Sequence, residues 1–295
     1  MDTEHLGVAI STTGDEHRLS LLARCVKGWD EALPDNSSMF ITVDGDEDAC
    51  HRVYNVVSNW TGSIFRVGQP YLFPSLDTGY GTRIIREGRL GVAVNKNTGI
   101  ELLMNGAKAA HLFLSDDDTW PLRPEALDLH VSGNRGLAHS MVCWGRHRLG
   151  WINAGYAEWT WPRGSMIYTG REVVEQVGGM VEAFGPGGHE HVEWSRRIHQ
   201  AGLTPAAYPS PLPYSASNAM GAADYWYAED MPKKGEGMAA YAARKHRTTS
   251  VRRLPEDGAM IDEIMRSREG SSAFVPYVAG ENGRASATLY HNRRA

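Results

Sequence analysis

The chain has 295 residues, of which 42% are hydrophobic and 22% charged, and its formal net charge is −5. These values are typical of a globular protein with one main core. Because no apolar run is long enough to cross a bilayer, we expect no membrane insertion. Three widely spaced cysteines argue against a disulfide scaffold or a zinc site, and the acidic N-terminus argues against a signal peptide, so we expect a cytoplasmic protein.

In chain order, short apolar runs alternate with segments of helical periodicity through the first part of the sequence. The predicted strands are residues 6–11, 39–43, 63–67 and 111–114, and the predicted helices are residues 17–29, 48–57 and 92–104. This alternation predicts a mostly parallel, doubly wound sheet whose ligand lies at the carboxyl ends of the strands. The sequence has no Gly-x-Gly-x-x-Gly at its first turn and no Walker-type Gly-Lys-Ser/Thr, which disfavours dinucleotide-binding and P-loop proteins.

The second part of the chain has fewer regular elements, and we expect one main domain at residues 1–225. The predicted elements are strands at 138–144 and 166–168, a helix at 171–177, and a helix that begins near residue 190 and ends at Gly202. Residues 226–295 read as a partly helical C-terminal extension. From Lys233 onward it has twelve Lys and Arg against seven Asp and Glu, which suits either a polyanionic partner or a solvated tail.

Three consecutive carboxylates, Asp116 to Asp118, follow the strand predicted at 111–114. Like charges repel, so this cluster is costly unless a cation lies beside it. Carboxylate oxygens are hard ligands that suit Mg²⁺ or Mn²⁺, and these ions commonly bridge phosphate oxygens. The alternative is a helix N-cap in which Asp118 caps and Pro121 lies in the first turn. We favour the metal site, with Asp116 and Asp118 as its ligands.

Polar residues also follow the other predicted strands, which suits a nucleoside diphosphate beside the metal. Asp44 ends the second strand and is placed to accept the imide hydrogen of a pyrimidine base. Thr12 and Thr13 follow the first strand, where they could bind base or ribose, and Lys96 could reach the diphosphate. Each of these residues also has a purely structural interpretation. Asp44 and Gly45 are a residue pair common in turns, the two threonines could cap a helix, and Lys96 could be a solvated charge on a helix surface.

A glycine-rich segment at 184–188 leads into a predicted helix that begins with His189, Glu190 and His191. The helix dipole favours the ionised form of Glu190, and an accessible carboxylate can deprotonate an acceptor hydroxyl as a general base. Glu193 lies on the same face of the helix. Either histidine could act as a base or a metal ligand. The alternative is that the glutamates only stabilise the helix N-terminus.

Four segments resemble nucleotide-sugar glycosyltransferases of the A-type fold, particularly the broad family-two group, and the resemblance covers roughly residues 6–215. These segments are 10–13, 41–46, 91–100, which is similar to the family's Gly-x-x-x-Ala-Arg-Asn-x-Gly-Ile helix, and 113–121, which is similar to its Asp-x-Asp metal motif. Residues 188–198 also resemble the family's acceptor-side helix. The chain departs from the pattern at Lys96, which stands at the family's Arg position, and at His191, which stands at its second acid.

The resemblance implies a Rossmann-like, mostly parallel α/β sheet of the glycosyltransferase A type. It also implies a metal-dependent enzyme with Mn²⁺ or Mg²⁺ that moves a sugar from a nucleoside-diphosphate-sugar, a UDP-sugar being favoured, to an acceptor hydroxyl with inversion. The acceptor would be a protein, a glycan or a hydroxymethylated DNA base. One alternative is a nucleotidyltransferase of the same fold. The other is a non-catalytic nucleotide-sugar-binding protein, which stays open because His191 stands where the family has its second acid.

The resemblance also implies roles for individual residues. The base is Glu190 or His191. The nucleotide-binding residues are Thr12, Thr13, Asp44, Asp46, Lys96, Asn97, Asp116 and Asp117. The metal ligands are Asp116, Asp118 and His189. The residues that contact the acceptor or the sugar are Trp159, Trp161, Glu193 and Trp194, although core packing is the alternative for each tryptophan.

Overall fold

In a computed structural model of the chain, residues 5–58, 63–66, 91–132, 137–139, 148–153, 156–159, 162–181, 190–211, 225–228 and 240 are described. The strands of this part are β1 (Leu6–Thr12), β2 (Ser38–Val43), β3 (Ser63–Arg66), β4 (His111–Asp116), β5 (Thr119–Pro121), β6 (Leu137–His139), β7 (Arg148–Asn153), β8 (Tyr156–Trp159), β9 (Met166–Gly170), β10 (Pro209–Pro211) and β11 (Trp226–Ala228). The helices are α1 (Leu19–Ala32), α2 (Glu47–Val56), α3 (Val92–Glu101), α4 (Glu125–Val131), α5 (Arg171–Val177) and α6 (Glu190–Gln200). None of these helices is both long and apolar enough to span a membrane.

The central sheet has six strands in the order β3-β2-β1-β4-β9-β6. Strand β1 pairs in parallel with β2 and β4, and β2 pairs in parallel with β3. Strand β9 runs antiparallel to both of its neighbours, β4 and β6. The sheet is therefore mostly parallel, as predicted, with one reversed strand. Two smaller sheets have the strand orders β10-β8-β7 and β11-β5.

Helices cover both faces of the central sheet. Along β1, Val8 and Ile10 belong to a hydrophobic cluster with α1 and α2, whereas Ala9 belongs to a second cluster with α3, α5 and α6. The two clusters contain the fully buried tryptophans Trp29 and Trp194, respectively. In β1, β2, β4 and β9, whose burial is described, residues on both faces are mostly buried, which explains the apolar runs of these strands in the sequence.

The acid triplet lies in a tight connection between two strands and not at a helix N-terminus. Strand β4 ends at Asp116, and β5 begins at Thr119. The next helix, α4, begins later, and its N-cap is Pro124. Of the strand predicted at 138–144, residues 138–139 lie in β6, and residues 140–147 lie outside the described part of the chain.

Only a few residues of the expected C-terminal extension are described, and three of them form a strand. Trp226–Ala228 is β11, and it pairs antiparallel with β5, next to the acid triplet. Of the helical parts expected in the extension, only Ala240 is described, and it is helical; the other residues of these parts lie outside the described residues. The boundary expected at residue 225 therefore falls directly before a strand that packs on the main fold.

Candidate functional site

The carboxyl ends of β1, β2 and β4 meet at one edge of the central sheet. In the sheet register, Ser11 pairs with Asp116, and Thr12 pairs with Val43. The backbone N–H of Asp44 donates to the carbonyl of Thr12 at 2.9 Å. The polar residues that end these three strands are therefore close together, as expected for parallel strands.

The three carboxylates Asp116, Asp117 and Asp118, which we call the acid turn, meet two cations of the protein. Lys96 Nζ donates to Asp116 Oδ1 at 2.7 Å, and the side chain of Lys96 is only 1% exposed. Arg18 Nη2 contacts Asp117 and also Asp118, the latter at 2.9 Å. A charge buried without a partner is very costly, so these ion pairs are required for the turn to keep its shape.

Asp117 is the most deeply buried residue of the acid turn, at 2% exposure. Its Oδ2 accepts a hydrogen bond from Thr12 Oγ1 at 2.6 Å, and Arg18 Nε donates to its two oxygens at 2.8 and 3.1 Å. The side chains of Asp116 and Asp118 are 36% and 16% exposed, respectively. Asp117 therefore anchors the turn to β1, whereas the carboxylates of Asp116 and Asp118 are more exposed to solvent.

The chemistry of these two accessible carboxylates fits a hard divalent cation. Burial raises the pKa of the Asp116 carboxyl, and the ammonium of Lys96 offsets only part of that rise, so a further cation would favour the ionised form. Within the described residues, no group of three or more His, Cys, Asp or Glu side chains could hold a metal ion. Mg²⁺ is usually bound by one or two carboxylates together with substrate phosphates, so Asp116 and Asp118 suit an ion that is completed by phosphate oxygens.

The two carboxylates that follow β2 have different surroundings. Asp44 is buried, and its Oδ2 accepts from the backbone N–H of Gly91 at 2.8 Å. Gly91 begins α3 with a φ of 104°, a conformation that favours glycine, so Asp44 ties the end of β2 to this helix start. Asp46 is the N-cap of α2, and its Oδ1 accepts from Ala49 N at 2.8 Å, which is a local structural contact.

Thr13 makes a local contact after β1, whereas Asn97 connects two elements of the fold. Thr13 Oγ1 donates to Asp15 Oδ2 at 2.9 Å. Asn97 Nδ2 donates to the carbonyl of Met180 at 2.9 Å, and its Oδ1 accepts from the N–H of the same residue at 2.8 Å. Asn97 thus joins α3 to the segment after α5, whereas the adjacent Lys96 reaches the acid turn.

Glu190, the first residue of α6, is a buried carboxylate paired with His191. The imidazole Nδ1 donates to Glu190 Oε1 at 3.0 Å, and the side chain of Glu190 is 5% exposed. Burial raises the pKa of Glu190, but the hydrogen bond and charge of His191 together with the charge of Lys96 outweigh it, and the pKa is lower than usual. The carboxylate is therefore ionised at neutral pH, which is the form that accepts a proton.

Because β9 is reversed, it begins at the same edge of the sheet, and the residues directly before it lie between the acid turn and α6. The backbone N–H of Asp116 donates to the carbonyl of Ser165, directly before β9, at 2.7 Å. A Cβ on the adjacent Gly164 would lie 2.9 Å from His191 Nδ1, so the imidazole lies directly on this glycine. The acid turn, Lys96 and the Glu190–His191 pair therefore lie near one another at this edge.

Two other residues of α6 expected at the site pack the helix against its neighbours. Glu193 is 4% exposed and pairs with Arg197 Nε at 3.0 Å, and Arg197 also donates to the carbonyl of Gly179 at 2.7 Å. Trp194 is fully buried, and its Nε1 donates to the carbonyl of Gly178 at 2.9 Å. Both side chains attach α6 to the end of α5, so their surroundings are those of core residues.

Trp159 lies near the start of α6. It is 3% exposed and packs with Val192 and Tyr208, and Val192 directly follows His191. The buried indole N–H of Trp159 has no hydrogen-bond partner among the residues that the structure describes. Trp161 and His189, which were expected at the acceptor and metal sites, lie outside the described residues.

Arg18 is a site residue that the sequence patterns did not reveal. It ends a 3₁₀ turn between β1 and α1. Burial lowers its pKa, but the hydrogen bonds and charges of Asp117 and Asp118 outweigh that effect and raise it. Its position after the first strand was the one feature of the sequence that could have indicated a role at the site. That position does not identify it, because an arginine there is equally typical of a solvated surface.

We expect Arg18→Met to lower the free energy of unfolding by about 3 kcal/mol, because it leaves the buried Asp117 carboxylate with only Thr12 as a partner. Urea unfolding followed by circular dichroism measures the change. The matched control is Lys27→Met, which removes an exposed pair with Glu31 at 3.5 Å. The control should change stability by at most about 0.5 kcal/mol. An equally small effect of both substitutions would contradict the structural role of Arg18.

The chain was compared with known proteins at the level of sequence and of structure. Neither protein-family models nor curated proteins give a match. The structure of GalNAc-T7 with UDP, GalNAc and Mn²⁺ matches with a TM-score of 0.51 and 14% identity, over 90% of this chain and 54% of that one. The mannosyltransferase PcManGT from Pyrobaculum calidifontis, in complex with GDP-Man and Mn²⁺, matches with a TM-score of 0.46 and 12% identity, over 98% and 79%.

The likeness to GalNAc-T7 shows that this chain has the glycosyltransferase A-type fold, as its sequence motifs implied. The chain spans about half the length of the GalNAc-T7 chain that it matches, with 54% of that chain covered. At 14% identity the likeness concerns the fold alone, so the chemistry of the site rests on the residues described above.

Proposed function

We propose that this chain is a metal-dependent glycosyltransferase that moves a sugar from a nucleoside-diphosphate-sugar to an acceptor hydroxyl with inversion. The observation that supports this function is the meeting of the acid turn, Lys96 and Glu190 at one edge of an A-type sheet. Two accessible carboxylates, a buried ammonium and a separate ionised carboxylate are groups that such a transfer can use. The alternative of a nucleotidyltransferase has no comparable use for the Glu190–His191 pair.

Asp116 and Asp118 are the proposed metal ligands on the donor side. Bound Mn²⁺ or Mg²⁺ would offset the negative charge that develops on the departing nucleoside diphosphate. Lys96 adds positive charge at the same place, and because it is buried and held by Asp116, it needs little reorganisation to do so. Asp117 stays with Thr12 and Arg18 and is not a proposed metal ligand.

The ends of β1 and β2 are the proposed binding place of the base and ribose. Asp44 is a buried carboxylate at this edge, and its backbone N–H donates to the carbonyl of Thr12, which Thr13 follows. A carboxylate accepts but does not donate hydrogen bonds, which complements the imide N–H of a pyrimidine base. This complementarity supports a UDP-sugar as the donor.

Glu190 is the proposed general base on the acceptor side. It takes the proton of the acceptor hydroxyl while the acceptor oxygen attacks the anomeric carbon, on the face opposite to the leaving diphosphate, which gives inversion. His191 orients the carboxylate through its hydrogen bond at 3.0 Å, or serves as the base itself. Trp159 and Trp161 are proposed to border the sugar or the acceptor. A protein, a glycan and a hydroxymethylated DNA base all present the hydroxyl that this chemistry needs.

Calorimetric titration with UDP and GDP, each with Mn²⁺ and with EDTA, tests the proposal. We expect UDP to bind at least about tenfold more tightly with Mn²⁺, because an ion held by Asp116 and Asp118 would offset the negative charge of the diphosphate. UMP is the matched control, since without its second phosphate it should lose most of this metal effect. Failure of both diphosphates to bind would contradict the function, and binding that is equal in EDTA would contradict the metal site.

A further inference from the structure

The strand that directly follows the acid turn is held by a segment from far along the chain. Strand β5 begins at Thr119, the residue after Asp118, and pairs antiparallel with β11. In this register Ala228 lies opposite Thr119, and Tyr227 lies opposite Trp120. The backbone N–H of Leu122 also donates to the carbonyl of Tyr225 at 2.7 Å. The C-terminal side of the acid turn is thus fastened to residues 225–228.

Side chains reinforce this pairing through a stack of two aromatic rings and an arginine. The rings of Trp120 and Tyr227 are stacked with their centroids 4.0 Å apart. Arg24 of α1 lies over both rings, at 5.0 Å from the Trp120 centroid and 5.1 Å from that of Tyr227. A Cβ on Gly28 would lie 2.2 Å from Trp120 Cδ1, so the indole also lies directly on α1. Cross-strand aromatic pairs and cation–π contacts of this kind each stabilise a strand pair.

Trp226 connects the same strand to the backbone of the acid turn. It is 3% exposed, and its ring centroid lies 5.7 Å from that of Trp29 and 5.4 Å from that of His130. Trp29 Nε1 in turn donates to the carbonyl of Thr119 at 3.1 Å. Ser115 Oγ donates to the same carbonyl at 2.7 Å. This hydrogen bond joins the residue before the acid turn to the residue after it.

We infer that Trp226 and Tyr227 are positioning residues of the site, which hold β5 so that the acid turn presents Asp116 and Asp118 in a fixed geometry. Three neighbouring carboxylates repel one another and tend to separate, so the backbone on both sides of the turn must resist that force. The paired ends, β4 on one side and β5–β11 on the other, provide the resistance. This inference rests on the proposed function only for the identity of the ligand that the acid turn binds. The effect of Trp226 and Tyr227 on the geometry of the turn does not depend on that ligand.

The test compares Tyr227→Ala with Tyr227→Phe in the full chain. We expect Tyr227→Ala to weaken UDP binding in Mn²⁺ by about tenfold, the usual scale for loss of a residue that orients metal ligands. Tyr227→Phe keeps the ring on Trp120 and Arg24 and should bind UDP within about twofold of the wild type. Hydrogen exchange of the amides at 116–121 should be faster in Tyr227→Ala than in the other two proteins.

A purely structural role of Tyr227 is separated from a positioning role by a matched control. Val53→Ala removes a fully buried side chain of α2 from the same hydrophobic cluster, away from the acid turn. It should lower the urea midpoint without changing UDP affinity or exchange at 116–121. The inference is overturned if Tyr227→Ala matches Val53→Ala in both readouts. If the wild type does not bind UDP, the proposed function fails, and the exchange measurement still decides the inference.

Discussion

Glu190→Gln is expected to lower turnover by roughly 10²- to 10⁴-fold while the affinity for UDP in Mn²⁺ stays unchanged. The substitution keeps the shape of the side chain but removes the group that accepts the proton of the acceptor. The buried carboxylate lies outside the acid turn, where His191 holds it at 3.0 Å, and it is not among the groups proposed to bind the diphosphate. Donor-sugar hydrolysis or transfer, measured beside calorimetry with UDP, gives both quantities.

Glu175→Gln is the control for this substitution, because Glu175 is an exposed glutamate that pairs with Arg171 on α5 at 3.3 Å. It should leave turnover unchanged. Wild-type turnover in Glu190→Gln would assign the base to His191, and His191→Ala would then abolish transfer. Donor binding without turnover in the wild type, with any acceptor class, would favour the non-catalytic alternative.

Asp118→Asn is expected to abolish the Mn²⁺-dependent part of UDP binding, a loss of at least about tenfold in affinity in Mn²⁺. An amide keeps one oxygen but loses the negative charge that a hard divalent cation requires. Calorimetry with UDP in Mn²⁺ and in EDTA measures the change, and the affinity in EDTA should stay near the wild-type value. Asp116→Asn should behave in the same way and should also leave the buried Lys96 without its carboxylate.

Asp117→Asn tests which two acids of the turn bind the cation. Because Asp117 accepts hydrogen bonds from Thr12 and Arg18, its substitution should lower the urea midpoint and preserve the difference between Mn²⁺ and EDTA. The opposite pattern, with Mn²⁺ dependence lost in Asp117→Asn and kept in Asp118→Asn, would move the metal site to Asp117. The accessible fractions of the three side chains support the first outcome.

The sheet and the position of the acid turn could be predicted because both depend on local patterns. Apolar runs and helical spacing indicate parallel strands, and parallel strands place their carboxyl ends at one edge. Strand β5 has only three residues and exists through its pairing with β11, so no local pattern indicates it. The contact between Arg18 and Asp117 joins residues 99 positions apart, which a single sequence does not reveal.

Trp194 and Asn97 show why residue type alone is an ambiguous basis for predicting which side chains bind a ligand. Trp194 and Ile198 are one helical turn apart, a spacing typical of a buried helix face, and both are fully buried. Asn97 adjoins Lys96, yet its amide binds the backbone of Met180. Residue type alone does not separate a ligand contact from such internal contacts, because the same donors and acceptors serve both.

The reversal of β9 has a consequence for how proteins of this architecture can diversify. The chain leaves the site edge after Asp116 and returns to it at Ser165, whose carbonyl binds Asp116 N–H at 2.7 Å. The segment between these points therefore starts and finishes at the same place. Insertions or deletions in this segment, outside β5 and β6, can reshape the surroundings of the proposed acceptor side, while the sheet order and the proposed donor-side residues before position 119 stay as they are.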